Sequence, residues 1–207
     1  MSQPPRLPPL YAIVDPLDTG RHPTDLARAM LDGGARLLQL RWKAATAREL
    51  LAAAEAIRTL TRAHGALFLL NDRPDVARAA DADGVHLGLD DLPVAAARRV
   101  LGPGRLIGVS THDAAEAVAA EAAGADYIGV GPIFATASKA DARVPRGPAL
   151  VSTVRAAVRC PMVAIGGIGP GTAAEVRSAG ADSVAMIGAL VRAADVAAAV
   201  RDVLVRL

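Results

Sequence analysis

Eight short apolar segments recur along the 207 residues at a spacing of roughly twenty to twenty-five, each followed by a stretch of helical periodicity. No other feature limits the fold as much. The segments lie at 10–14, 36–40, 67–70, 84–87, 106–109, 126–130, 162–165 and 182–187, and most are apolar throughout, the pattern of strands covered on both faces. Helices are expected at 24–31, 46–63, 74–80, 93–100, 113–123, 148–158, 189–192 and 195–207, with a further one after the glycine-rich turn at 166–169. Similar triplets, Gly34-Ala35-Arg36, Gly124-Ala125-Asp126 and Gly180-Ala181-Asp182, open three of the strands. An open doubly wound sheet would need a topological switch point and usually a glycine-rich first turn, whereas Asp15-Pro16 follows the first strand here. The reading is therefore a single (β/α)8 TIM barrel over 10–207, with residues 1–9, which hold four prolines, as a flexible lead-in. Such a barrel gathers its chemistry at the carboxyl ends of its strands.

Composition agrees and removes several function classes. Hydrophobic residues make up 52% of the chain but aromatics only 2%, so the core is built from Ala, Val, Leu and Ile. A net charge of +2, a pI near 9.1 and the absence of Lys/Arg runs with interleaved aromatics argue against nucleic acid as a partner. The sequence shows no apolar run of membrane-spanning length and no signal-peptide pattern, so a cytoplasmic protein with no membrane partner is expected; homo-oligomerisation is left open. Cys160, the only cysteine, excludes an internal disulfide and reads as a small buried residue before Pro161. Of 23 lysines and arginines only Lys43 and Lys139 are lysine, and both fall at strand exits, where a compact ammonium suits phosphate.

The stretch NDRPDVARAADADGVHLGLDD, 71–91, reads as strand end, helix and a second strand with acidic groups at both ends. A right-handed crossover makes the two strands parallel neighbours, so Asp72 and Asp91 can meet at one sheet edge. Two carboxylates there suit Mg²⁺, which fills the rest of its shell from water and phosphate oxygens. Aspartates at such turns also cap helices, and the stretch alone leaves both readings open. Alternation after the second strand puts Gln39, Arg41 and Lys43 on one side, a pyrophosphate clamp or a solvated basic strand end. Strand five ends in Ser110, Thr111 and His112; His112 reads equally as an acid–base group or a helix cap. The long loop 131–147 holds Thr136, Ser138 and Lys139, which can reach phosphate or lie on a mobile surface. Turns at 166–169 and at Gly188 would expose backbone N–H groups to a second phosphate.

With these motifs in order, the chain resembles the thiamine phosphate synthase family over almost its whole length. The matching segments are QLRWK at 39–43, NDRPD at 71–75, ADGVHLGLDD at 82–91, GVSTH at 108–112, GADYIGVGPIF at 124–134 and VAIGGI at 163–168. The resemblance implies a barrel that joins hydroxymethylpyrimidine pyrophosphate to thiazole phosphate with release of pyrophosphate. It implies Asp72 and Asp91 as ligands of Mg²⁺; Gln39, Arg41, Lys43, Asn71, Ser110 and Lys139 around the pyrimidine pyrophosphate; and Thr136, Ser138, Gly167, Ile187 and Gly188 around the thiazole phosphate. By the same resemblance, Arg41, Lys43, Lys139 and Ser110 are expected to carry the catalytic role of stabilising departing pyrophosphate. Trp42, Leu89, Ser138 and Gly188 depart from the residues usual in the family. Two other functions remain to be weighed. One is an aminothiazole tautomerase-like enzyme using His112; the other is a non-catalytic barrel that binds thiazole phosphate.

Overall fold

The computed structural model describes residues 6–16, 19–136 and 144–207. Its strands are β1 (Leu10–Val14), β2 (Leu37–Leu40), β3 (Leu67–Asn71), β4 (Gly84–Leu87), β5 (Leu106–Thr111), β6 (Tyr127–Val130), β7 (Met162–Ala164) and β8 (Ser183–Met186). Between and after them run the helices α1 (Pro23–Asp32), α2 (Ala47–Ala63), α3 (Pro74–Ala79), α4 (Val94–Leu101), α5 (Ala114–Ala122), α6 (Ala149–Ala157), α7 (Ala173–Ser178), α8 (Gly188–Val191) and α9 (Val196–Arg206). Every strand pairs in parallel with its sequence neighbours, and β1 pairs with β8, so the sheet closes as the alternating pattern predicts. No helix of the described residues is long and apolar enough to cross a membrane.

Strand and helix bounds match the sequence pattern to within a few residues, and local chemistry explains the ends. Thr46 and Glu49 form a reciprocal capping box that starts α2, and its two hydrogen bonds hold the Glu49 carboxyl below the usual range. α1 begins one residue ahead of the predicted start, at Pro23, because His22 Nδ1 accepts the Thr24 N–H. The lead-in differs more. Residues 1–5 lie outside the described residues, but Leu7 packs against the core and the Pro9 carbonyl accepts the Val184 N–H at 3.0 Å, so the chain is anchored before β1. The turn after β7 also departs from expectation, since α7 starts at Ala173, several residues beyond Gly167.

A repeated clasp ties the amino-terminal rim together. Asp83, Asp126 and Asp182 stand just before or at the openings of β4, β6 and β8. Each donates its own N–H to the neighbouring strand's carbonyl, at Phe68, Ile107 and Met162, all at 2.8 Å. Each carboxylate then accepts the N–H of that same residue, again at 2.8 Å. An arginine from the preceding even-numbered helix completes each clasp: Arg58 at 2.8 Å, Arg98 at 2.5 Å and Arg155 at 3.1 Å. This is the physical content of two of the triplets that open strands in the sequence.

Asp126→Ala leaves the N–H of fully buried Ile107 without its carboxylate, whereas Arg98→Met removes an ion pair that is 31% exposed and a hydrogen bond to the Arg105 carbonyl. The aspartate variant is expected to lose about 2 kcal/mol, roughly 4–8 °C of melting temperature for a chain of this size, and the arginine variant under about half of that. Thermal melts of the two variants check the ordering; an equal loss would place the stabilisation in the ion pair.

Candidate active site

The strand exits surround a cleft of about 330 Å³ at the carboxyl rim, lined among others by Arg41, Lys43, Asn71, Asp72, Asp91 and Ser110. Thr136 and Ile187 line its far side. Gln39 does not reach this cleft; it lies 2% exposed on the floor beneath it. Gly167 and Gly188 each stand one residue beyond a lining residue, Gly166 and Ile187. Ser138 and Lys139 lie outside the described residues. A crossover of β3, α3 and β4 thus delivers Asp72 and Asp91 to one place, as the spacing of the acidic ends suggests.

The backbone at the acidic pair is under strain. Asp72 has φ +61°, a left-handed conformation that costs a non-glycine residue about 1 kcal/mol or more. Around it the Arg73 N–H bonds back to the Asn71 carbonyl and the Asp72 N–H to the His86 carbonyl, both at 2.8 Å, so the chain reverses at once on leaving β3. Asp91 is fixed by its own turn, its Oδ2 accepting the Gly88 N–H at 2.6 Å. Burial, and then the Asp91 carboxylate beside it, push the Asp72 carboxyl above its ordinary range, while Lys43 Nζ at 3.5 Å opposes that shift only in part. Two crowded carboxylates with one lysine form a site short of positive charge. Among the described residues there is no group of three or more metal-binding side chains, so the pair suits an ion that draws most of its ligands from elsewhere.

The anion side is built around Arg41. Its guanidinium is 11% exposed and ion-paired with Asp15, itself 5% exposed, so the arginine is held in place before any ligand arrives. Arg41 Nε is buried with no hydrogen-bond partner among the described residues, which leaves a desolvated donor. Trp42, between Arg41 and Lys43, does not line the cleft; its ring packs on the core and meets His22 edge to face at 6.0 Å. Leu89 does line the cleft, at 47% exposure beside Asp90 and Asp91.

His112 is not a cap. Asp113 caps α5, its Oδ1 accepting the Glu116 N–H at 2.9 Å, while His112 Nδ1 meets Glu116 Oε2 at 2.8 Å and the ring borders the cleft. Across the mouth, Ile133 and Phe134 donate to the carbonyls of Ile165 and Gly166, both at 2.9 Å, which brings Thr136 beside the β7 turn. Gly167 there has φ +62°, and a Cβ on it would lie 2.3 Å from the Ala135 carbonyl, so this approach requires glycine. Three further residues escaped the sequence reading: Tyr11, Tyr127 and His86. Tyr11 and Tyr127 are buried and His86 lines the cleft, and the three form a hydrogen-bonded chain from Gln39 to Ser110. The available signal was polar side chains inside strands that are otherwise wholly apolar.

A family described as thiamine monophosphate synthase matches residues 10–190. The chain belongs to the thiamine monophosphate synthase family. It is 52% identical over 193 residues to a thiamine-phosphate synthase of Moorella thermoacetica, covering 93% of this chain and 92% of that protein. A thiamine-phosphate synthase of Methanoculleus marisnigri is 54% identical over 194 residues, with 93% and 92% covered. Among solved structures, a thiamine phosphate pyrophosphorylase from Pyrococcus furiosus superposes with a TM-score of 0.88 at 40% identity, covering 95% of this chain and 94% of that one. A 3-hexulose-6-phosphate synthase, 18% identical with a TM-score of 0.68 over 96% and 99% of the two chains, shares the fold alone.

Asp72→Asn keeps a residue that tolerates the left-handed turn and removes one of two crowded charges. The folded chain holds the Asp72 proton more tightly than the unfolded chain does, so the ionised carboxylate costs stability at neutral pH, and the cost vanishes below the carboxyl range. In chelator at neutral pH the variant is expected to melt at or above the parent temperature. A clear drop would show that the Asp72 carboxylate makes a net stabilising contact instead.

Proposed function

We propose that this chain catalyses the thiamine phosphate synthase reaction, a transferase reaction that joins hydroxymethylpyrimidine pyrophosphate to thiazole phosphate and releases pyrophosphate. The observation that carries the reading is the juxtaposition, in one cleft, of the crowded pair Asp72 and Asp91 with Lys43 and the anchored Arg41. That arrangement suits a pyrophosphate and its cation, and membership of the family makes this pyrophosphate the natural occupant. Asp72 and Asp91 would hold Mg²⁺, which when bound supplies neutralisation of the charge that develops on the leaving pyrophosphate.

The protein's own groups do the rest. Arg41, which lines the cleft and is held by Asp15, offers its fixed positive charge to phosphate oxygens. Lys43 adds a point charge, and Asn71 and Ser110 add neutral donors at the ends of β3 and β5; the family resemblance assigns Lys139, outside the described residues, to the same pyrophosphate. Beneath them Ile13, Val163 and Ile165 make an apolar floor for the pyrimidine ring, with Gln39 as its polar neighbour. Thr136, Ser138 and the backbone at Gly167, Ile187 and Gly188 would take the thiazole phosphate on the opposite side, which aligns the thiazole nitrogen with the pyrimidine methylene. The carbon–oxygen bond to pyrophosphate breaks ahead of carbon–nitrogen bond formation, because the electron-rich pyrimidine tolerates a cationic methylene. No protein nucleophile is required, and exclusion of water from the cleft protects that cation.

The His112–Glu116 pair favours a second reading, a proton shift on the thiazole, since a carboxylate-held imidazole at the cleft wall is fit for acid–base work. It leaves Asp72, Asp91 and Lys43 without a purpose, so the synthase reading is preferred.

Purified protein given both substrates is expected to form thiamine phosphate with Mg²⁺ and to lose that activity in excess chelator. Asp72→Asn is expected to lower turnover well over tenfold while the fold persists. Product formation at the parent rate by that variant would remove Asp72 from the metal site, and the absence of any coupling by the parent protein would overturn the synthase reading.

A further inference from the structure

The barrel interior contains a line of polar side chains, of which the reaction described above uses only the two ends, Gln39 and Ser110. Gln39 Nε2 donates to the Tyr11 hydroxyl at 2.7 Å; the Tyr11 and Tyr127 hydroxyls lie 3.0 Å apart; the Tyr127 hydroxyl meets His86 Nδ1 at 2.9 Å; and His86 Nε2 meets Ser110 Oγ at 3.0 Å. Tyr11 and Tyr127 are the only tyrosines of the chain, and they pack edge to face with centroids 6.1 Å apart, 2% and 1% exposed. Space is cleared for the line. A Cβ on Gly108 would sit 2.0 Å from the Tyr127 ring, and one on Gly129 would lie 3.0 Å from His86 Cε1. Burial keeps both phenols protonated, each pushed above its ordinary range. Two neutral phenols, an amide and an imidazole placed in an apolar core are costly unless every proton in the line has an acceptor.

The orientation of the Gln39 amide, with Nε2 towards Tyr11, gives the line a direction. Tyr11 receives the Gln39 amide hydrogen, so its own hydrogen goes to the other group within reach, the Tyr127 oxygen. Tyr127 then gives its hydrogen to His86 Nδ1, which must be the unprotonated ring nitrogen, and the His86 proton sits on Nε2 and is donated to Ser110 Oγ. Ser110, already an acceptor, has its hydrogen left to give to the cleft that it lines. If the line ran the other way, with the amide oxygen turned to Tyr11, the Ser110 hydrogen would be spent on His86.

We propose that Gln39, Tyr11, Tyr127, His86 and Ser110 form a one-way hydrogen-bond relay that holds neutral His86 as its Nε2–H tautomer and so aims the Ser110 hydroxyl hydrogen at an anion in the cleft. His86 is thereby a positioning residue that acts through Ser110. The relay itself is a property of the substrate-free protein; that the anion is the substrate's pyrophosphate rests on the synthase reading.

The test begins with wild-type protein carrying ¹⁵N-labelled histidine, in which His86 is assigned by the signals lost in His86→Asn. At neutral pH and without substrate, the ¹⁵N shifts are expected to show Nδ1 unprotonated and Nε2 protonated. The opposite tautomer, or an even mixture, overturns the relay, and this measurement needs no variant to fold. Tyr127→Phe removes the donor to Nδ1 and is expected to mix the tautomers. It should also raise KM for the pyrimidine pyrophosphate roughly threefold to tenfold, as for partial loss of one hydrogen bond to a charged group, with a smaller change in kcat. In a Ser110→Ala background the same substitution is expected to change KM no further. A full additional rise in that background would overturn the transmission through Ser110. Ser110→Ala with parent KM would overturn the role of Ser110 at pyrophosphate, and the tautomer of the substrate-free protein distinguishes that result from failure of the relay.

Discussion

Closure of the parallel sheet between β1 and β8 is the constraint on which everything else here depends. A parallel barrel with no edge pairs the backbone groups of each strand with two neighbours, and only one arrangement of eight crossovers does this with all strands pointing the same way. All eight exits then open on one rim. Register, in turn, sets height. Asn71 pairs with His86, Gly108 with Tyr127 and Ser110 with Gly129, which stacks the interior from the tyrosines upward through His86 to the hydroxyl at the mouth. The spacing between Asp72 and Asp91 in the chain matters only because β3 and β4 are neighbours in that ring.

The two rims divide the energetic work. At the amino-terminal rim the aspartates before β4, β6 and β8 each serve backbone and arginine together, although Arg58 Nε is buried without a partner among the described residues and Asp81 is left-handed. The carboxyl rim carries strain and crowded charge in one place. Asp72 is left-handed, two carboxylates crowd one another, and a buried guanidinium nitrogen has no partner among the described residues. Each of these costs stability, and the clasps at the far rim offset part of that cost.

Much of the site was legible from short-range patterns. Asp72, Arg41, Lys43 and Ser110 all follow directly on apolar runs, so a reading of strands with polar exits finds them. The roles of His112 and Asp113 were not separable that way, because both stand within two residues of the start of α5, and only the backbone geometry shows that Asp113 is the cap. Trp42 and Leu89 look alike in sequence as departures beside charged residues. In the fold they differ: alternation turns Trp42 onto the core and His22, while Leu89 borders the cleft beside Asp90 and Asp91. The link from Gln39 to Ser110 was hidden for a different reason. Strands buried on both faces carry no polar–apolar alternation, so nothing in LYAIV, LLQL or YIGV says which side chains face the barrel axis.

The sequence by itself determined the architecture and its polarity. Eight doubly buried strands with helical crossovers between them have few ways to hide their apolar surface, and all of those ways send the strand ends to the same side. It also determined the chemistry available at those ends, since the charged and hydroxyl side chains are simply the first polar residues after each strand. Only the tertiary structure decided which groups share a proton or crowd a charge. Those relations depend on register and shear around the closed ring, where residues 116 positions apart, such as Tyr11 and Tyr127, come to lie 3.0 Å from one another. Local sequence carries no record of that distance, because it is the sum of eight strand pairings and not a property of any one of them.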